Sequence, residues 1–99
     1  MDDVVYKNIA EAIIRKQADI IGKDIAMRKA RKVTNIILDD VGKIVRLGDD
    51  PVKCISDLIQ EYANLSADAA LRFSREAALP FITPTLKIPD ELKPSYQLK

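Results

Sequence analysis

The chain has 99 residues and carries 16 Lys and Arg against 15 Asp and Glu, with one Cys and no His. This length allows a single domain with a modest core, since so short a chain buries about 60–65% of its unfolded surface. One Cys excludes an internal disulfide, and without His one subunit cannot build the usual structural zinc sites. The net charge of +1 gives the whole molecule no preference for nucleic acid or for an anionic membrane.

Targeting signals are not evident in the sequence. The acidic start, Met1-Asp2-Asp3, lacks the positive charge of a signal peptide. The longest uncharged run, residues 77–86, is far shorter than the ~20 residues that a membrane-spanning helix needs. Together with the lone thiol, this predicts a cytoplasmic protein with no membrane partner.

The first predicted element is one long helix over residues 4–31, which contain no Pro and many strong helix formers. Its apolar side chains form two adjacent stripes, which are together wider than a single core contact requires. In a chain this small, the second surface is most simply another copy of the chain. We therefore expect the second stripe to form the interface of a homodimer, through Ile9, Ile13, Ile20 and Met27.

A β-hairpin is predicted next, at about 34–47. Two β-prone stretches, 34–38 and 43–47, flank the tetrapeptide Asp39-Asp40-Val41-Gly42. Asp in the first place and Gly in the fourth suit a type I turn followed by a left-handed glycine. Because a lone hairpin is barely stable in water, it must lie on a helix or pair with the hairpin of a second chain.

Residues 51–79 are predicted to be helical. Asp50 before Pro51 is a strong start signal, since Asp suits the N-cap and Pro the first helical position. The stretch 64–66 interrupts the pattern, so the region forms either two helices or one continuous helix. Cys54, in the first turns, is expected to be a small buried apolar residue.

The last twenty residues differ in kind, because Pro80, Pro84, Pro89 and Pro94 exclude a long helix or a central strand. Their apolar content is too high for a solvated linker. We therefore expect a domain at 1–80 and an extended arm at 81–99, which packs on that domain or on a partner subunit. The predicted fold is mainly α with a small β-hairpin, in the order α-β-β-α-α.

No group of residues predicts catalysis. The serines have no His to activate them, and the chain lacks a glycine-rich phosphate-binding loop. The acidic pairs have simpler explanations, since Asp39-Asp40 suits a turn, Asp49-Asp50 a helix cap and Asp90-Glu91 a first helical turn. We therefore predict that the protein is not an enzyme and has no catalytic, cofactor-binding or metal-binding residues.

A basic cluster, Arg28, Lys29, Arg31 and Lys32, closes the first predicted helix. Cations are favourable at a helix C-terminus, and the same cluster is suited to an anion or nucleic acid. The predicted function is a non-catalytic interaction or assembly module, working as a homodimer or with another protein. The alternative is a nucleic-acid-binding accessory protein that uses this basic cluster, and a carrier of an apolar small molecule ranks third.

Overall fold

The computed structural model describes residues 2–93, which form a mostly helical fold with one antiparallel hairpin, as the sequence predicts. Within these residues, no helix is long and apolar enough to cross a membrane. The elements in chain order are α1 (Asp2–Ile21), α2 (Lys23–Arg31), β1 (Ile36–Leu38), β2 (Ile44–Leu47), α3 (Pro51–Ala63) and α4 (Ala67–Ala78), followed by short 3₁₀ turns at Leu79–Phe81 and Asp90–Leu92.

The long first helix predicted over 4–31 is divided at Gly22, so the order of elements is α-α-β-β-α-α. Gly22 has φ +91° and ψ 148°, a conformation that glycine adopts at little steric cost. Its N–H donates to the Ala18 carbonyl, and its own carbonyl accepts from Ala26 N–H, each at 3.0 Å. The break redirects α2 towards α3, where the buried Tyr62 hydroxyl donates to the Ala26 carbonyl at 2.9 Å. Burial raises the pKa of this hydroxyl.

The hairpin has the turn that its sequence predicts. The N–H of Gly42 donates to the Asp39 carbonyl at 3.3 Å, and Gly42 itself has φ +91°. The Asp39 carboxylate stiffens the turn by accepting from the N–H groups of Val41 and Lys43, at 3.0 and 2.9 Å. A register irregularity follows Ile37, and the paired residues are Ile36 with Leu47, Ile37 with Arg46, and Leu38 with Ile44.

Two helices, and not one, follow the hairpin. Asp50 caps α3 by accepting from Lys53 N–H at 3.1 Å, with Pro51 at the first helical position. The chain turns at 64–66 before α4 begins. Cys54 is buried, as expected for a small apolar residue. Helix α1 packs against both α3 and α4, and these helices supply most of the core, which includes Ile9, Ala10, Ile13, Ile14, Ile55, Leu58, Ile59, Tyr62, Ala70 and Leu71.

Beyond α4, the chain runs back over its own helices. Ile82, Leu86 and Ile88 are half-buried against the core, and Leu92 is buried in it. The Tyr6 hydroxyl of α1 donates to the Lys87 carbonyl. Residues 82–93 are called the C-terminal segment below. The rest of the predicted arm, residues 94–99, lies outside the described residues.

Candidate interaction surfaces

The four residues predicted for a dimer interface do not share one surface. Ile9 and Ile13 are 0% exposed and Met27 is 5% exposed, whereas Ile20 is 44% exposed. The reason is that α1 has two neighbours in its own chain, α3 and α4, which cover Ile9 and Ile13 but leave Ile20 exposed, while Met27 of α2 lies against the hairpin turn. Ile9 and Ile13 are therefore core residues of a single chain in this structure, and Ile20 remains open to a partner.

A groove of about 480 Å³ lies between the second half of α1, the start of α2 and the hairpin turn. We call it the hairpin–helix groove. Its apolar lining comes from Ile14, Ala18 and Met27, with Val41 from the turn. Its charged lining carries both signs and consists of Glu11, Arg15, Asp19, Lys23 and Lys43.

The hairpin wall of this groove is firmly attached to the helices. A Cβ atom added at Gly42 would lie 3.0 Å from Met27 Sδ, so the turn rests directly on α2. The Glu11 side chain of α1 accepts from the Ile44 N–H of β2 at 2.9 Å through its Oε2 atom. Val41 nevertheless remains 67% exposed at the tip of this anchored turn. The turn therefore presents an apolar side chain at the groove with little freedom to retract.

Among the charged side chains of the groove, Glu11 alone has a partner within the described part of the chain, the Ile44 N–H. Arg15, Asp19, Lys23 and Lys43 form no ion pair there. The ion pairs among residues 2–93 lie elsewhere, at Lys16–Glu76, Lys53–Asp57 and Lys93–Asp90. A second molecule at the groove would therefore meet charges that no internal contact already satisfies.

The basic cluster lies at the end of α2, which terminates at Arg31. Arg28, Arg31 and Lys32 are exposed, and Lys29 is half-buried. The Arg31 guanidinium donates to the Asp39 carbonyl at 3.3 Å. Arg28 and Arg31 also line a cavity of about 500 Å³ that shares Lys23 and Met27 with the hairpin–helix groove. The acidic residues Asp24 and Asp40 border the same cavity, so its charge is mixed.

A third surface holds the C-terminal segment on α3 and α4; the sequence predicts a packed arm at 81–99 but not the residues that hold it. The Glu91 side chain is buried, and its Oε2 accepts from Ser56 Oγ at 2.7 Å and from Gln60 Nε2 at 2.8 Å. Arg75 Nε of α4 donates to the main-chain carbonyl of Glu91 at 3.1 Å. In the sequence, Asp90-Glu91 predicts only first-turn charges, because no local pattern links Glu91 to a helix far away in the chain.

Two buried polar atoms, Gln17 Nε2 and Ser74 Oγ, have no hydrogen-bond partner within residues 2–93. In that part of the chain, no three Cys, Asp or Glu side chains come together in a group that could hold a metal ion. No family model, curated protein or solved structure matches the chain. Functional inference therefore depends on the surfaces described above.

Proposed function

We propose that the protein is a non-catalytic interaction module that assembles as a homodimer, with two copies meeting at the hairpin–helix groove. The observation that carries this proposal is the combination of the exposed Val41 side chain with the partly apolar, partly charged hairpin–helix groove beside it. The first two helices contribute the lining of the groove, which agrees with an interface built on the N-terminal part of the chain.

A second copy suits this surface because a two-fold dimer brings the same patch of both subunits together. Such a patch must be complementary to itself. Val41 provides an apolar projection, and Ile14, Ala18 and Met27 provide an apolar lining into which the partner's Val41 can pack. The unpaired cations and the Asp19 carboxylate at the groove give each copy both signs of charge, which sets the orientation of two subunits more than their affinity.

Sedimentation velocity at micromolar concentration tests the assembly. We expect a dimer of the 11.1 kDa chain. Val41→Asp should weaken the dimer by at least about tenfold, because it replaces the apolar contact of Val41 by a carboxylate that must lose its water. The fold should survive, since Val41 is largely exposed in the single chain.

Val4→Asp is the matched control. Val4 is exposed in the first turn of α1, where a carboxylate is favourable, and it lies away from the groove. This variant should retain the dimer. A wild-type chain that sediments as a folded monomer would contradict the proposal, and so would a dimer that tolerates Val41→Asp.

The second candidate function is nucleic-acid binding through Arg28, Lys29, Arg31 and Lys32. The observation in its favour is that none of the four forms an ion pair within the described residues. Labelled duplex and single-stranded probes at low salt test it, and binding should fall steeply as salt rises. Arg28→Glu should abolish the binding, whereas Arg46→Glu on the exposed hairpin should not. Absence of binding at low salt ends this candidate.

A further inference from the structure

The C-terminal segment is seated on the helices in the way that a peptide ligand is seated on a receptor. Side chains of the helices donate to it: Tyr6 donates to the Lys87 carbonyl, and Arg75 donates to the Glu91 carbonyl. Within the segment, the main-chain bonds are those of local turns, such as Leu86 N–H to the Thr83 carbonyl at 3.2 Å. The segment therefore owes its position to these helix side chains and to its own apolar side chains, which pack against the core.

The contacts select particular residues. Ser56 and Gln60 both direct their donors at one oxygen of the Glu91 carboxylate. On either side of this carboxylate, Pro89 and Leu92 are buried. Ser56, Gln60 and Arg75 thus form one surface that bonds with Glu91, whose neighbours Pro89 and Leu92 are buried beside it. We call this surface the α3–α4 site.

A partner can displace the segment because the burial cost of the Glu91 carboxylate offsets its hydrogen bonds. Glu91 is 6% exposed, yet its carboxylate forms no ion pair with a cation among residues 2–93. Burying a carboxylate without an opposite charge has a free-energy cost comparable to what its hydrogen bonds return. The hydrogen bonds of Glu91 therefore add little net free energy to docking, and the docked state, which the buried Pro89 and Leu92 favour, is only modestly more stable than the undocked state.

We propose that the α3–α4 site is a peptide-recognition site, which the C-terminal segment occupies in the free protein. Its occupant in trans is a segment of a partner protein with the same chemistry, in which proline, an acidic residue, glutamate and leucine follow one another. The chain's own segment then acts as an internal competitor, which lowers the apparent affinity for the partner. This proposal uses a different surface from the groove and does not depend on the homodimer.

The test uses a fluorescein-labelled peptide with the sequence of residues 82–93, titrated against the full chain and monitored by fluorescence anisotropy. Leu92→Ala in the full chain removes the buried anchor of the internal competitor. We expect this variant to bind the peptide at least about tenfold more tightly than the wild type does, because its own segment competes less. A peptide that carries Glu91→Ala should bind about two- to fivefold more weakly to the same variant.

Controls on the receptor side separate recognition from non-specific adhesion. The pair Ser56→Ala and Gln60→Leu removes both donors to the carboxylate and should abolish peptide binding. Asp68→Asn, at an exposed position in the first turn of α4 that bonds with no part of the segment, should leave binding unchanged. If Leu92→Ala unfolds the chain, as judged by circular dichroism, then Glu91→Ala in the full chain serves as the released receptor.

Three outcomes would overturn the proposal. The first is a folded released variant that does not bind the peptide. The second is an affinity for the Glu91→Ala peptide equal to that for the unchanged peptide. The third is a wild-type dimer that Leu92→Ala dissociates without any peptide binding, which would assign the segment to an exchange between copies of the chain.

Discussion

The hairpin and the C-terminal segment are both non-helical pieces that lie on the helical body, and in each a glutamate makes the connection. At the hairpin, the glutamate belongs to the helices, because Glu11 of α1 accepts from the Ile44 N–H. At the C-terminal segment, the glutamate belongs to the segment, because Glu91 accepts from Ser56 and Gln60 of α3. The two glutamates therefore belong to opposite sides of their contacts.

The hairpin and the C-terminal segment differ in the contacts that each makes within itself. The hairpin has paired strands and a turn closed by Asp39, and it buries Ile36 and Ile44 in the core. The C-terminal segment has isolated turns and depends on the helices for its longer-range contacts. The hairpin is thus expected to unfold with the whole domain, whereas the segment can leave while the helices remain folded.

The largest expected effect on the free energy of unfolding comes from truncating one buried side chain in each piece, Ile44 in the hairpin and Leu92 in the segment. Ile44→Ala should lower the free energy of unfolding by about 3 kcal/mol, because the packed hairpin leaves a cavity. Leu92→Ala should lower it by only about 1–2 kcal/mol, because the segment can undock instead of keeping a cavity. Urea denaturation of both variants measures the difference. Equal losses would show that the segment unfolds only with the whole domain.

A smaller effect is expected at the turn of the hairpin. Gly42→Ala forces a side chain into φ +91° and places its Cβ 3.0 Å from Met27 Sδ. We expect a loss of about 2 kcal/mol in the free energy of unfolding. Gly42→Asn has the same contact but a residue that tolerates positive φ better, so it should lose about half as much.

Both variants at Gly42 should leave the amide exchange of residues 82–93 unchanged under conditions that favour the folded state. Hydrogen exchange of each variant, alongside its thermal unfolding, checks this. Faster exchange in the C-terminal segment would mean that the two pieces are coupled through the helices, which contradicts the contrast drawn between them.

Local chemistry explains which parts of the fold were predictable. The Asp39–Gly42 turn and the Asp50-Pro51 helix start each depend on residues within a few positions of one another, and both are confirmed. The break at Gly22 was not predictable in this way. A glycine inside a helical pattern costs only about 1 kcal/mol, so whether the chain bends there depends on packing such as the Tyr62 contact with Ala26.

The candidate surfaces were less predictable than the fold, for a related reason. Periodicity showed that Ile9 and Ile13 lie on apolar stripes, but not whether a second copy or the chain's own helices cover them. The Glu91 contact with Ser56 joins residues far apart in the sequence. Such contacts follow from the three-dimensional packing, and no spacing rule connects the two residues beforehand.

The smallest effect compares the two glutamates directly, through Glu11→Ala and Glu91→Ala. Each should change the free energy of unfolding by only about 0.5–1 kcal/mol, so stability alone will not distinguish them. Amide hydrogen exchange distinguishes the two variants. Glu11→Ala removes the acceptor of a single N–H and should accelerate exchange at Ile44, while the rest of the hairpin stays protected by its strand pairing.

Glu91→Ala should instead accelerate exchange across the segment, including the Leu86 and Leu92 amides, whose bonds belong to local turns. The reason is that Glu91 positions a whole piece of chain, whereas Glu11 satisfies one group of a piece that is already formed. If Glu91→Ala changed the exchange of only one or two amides, the segment would be held by its apolar anchors alone, and its glutamate would not act as the attachment point.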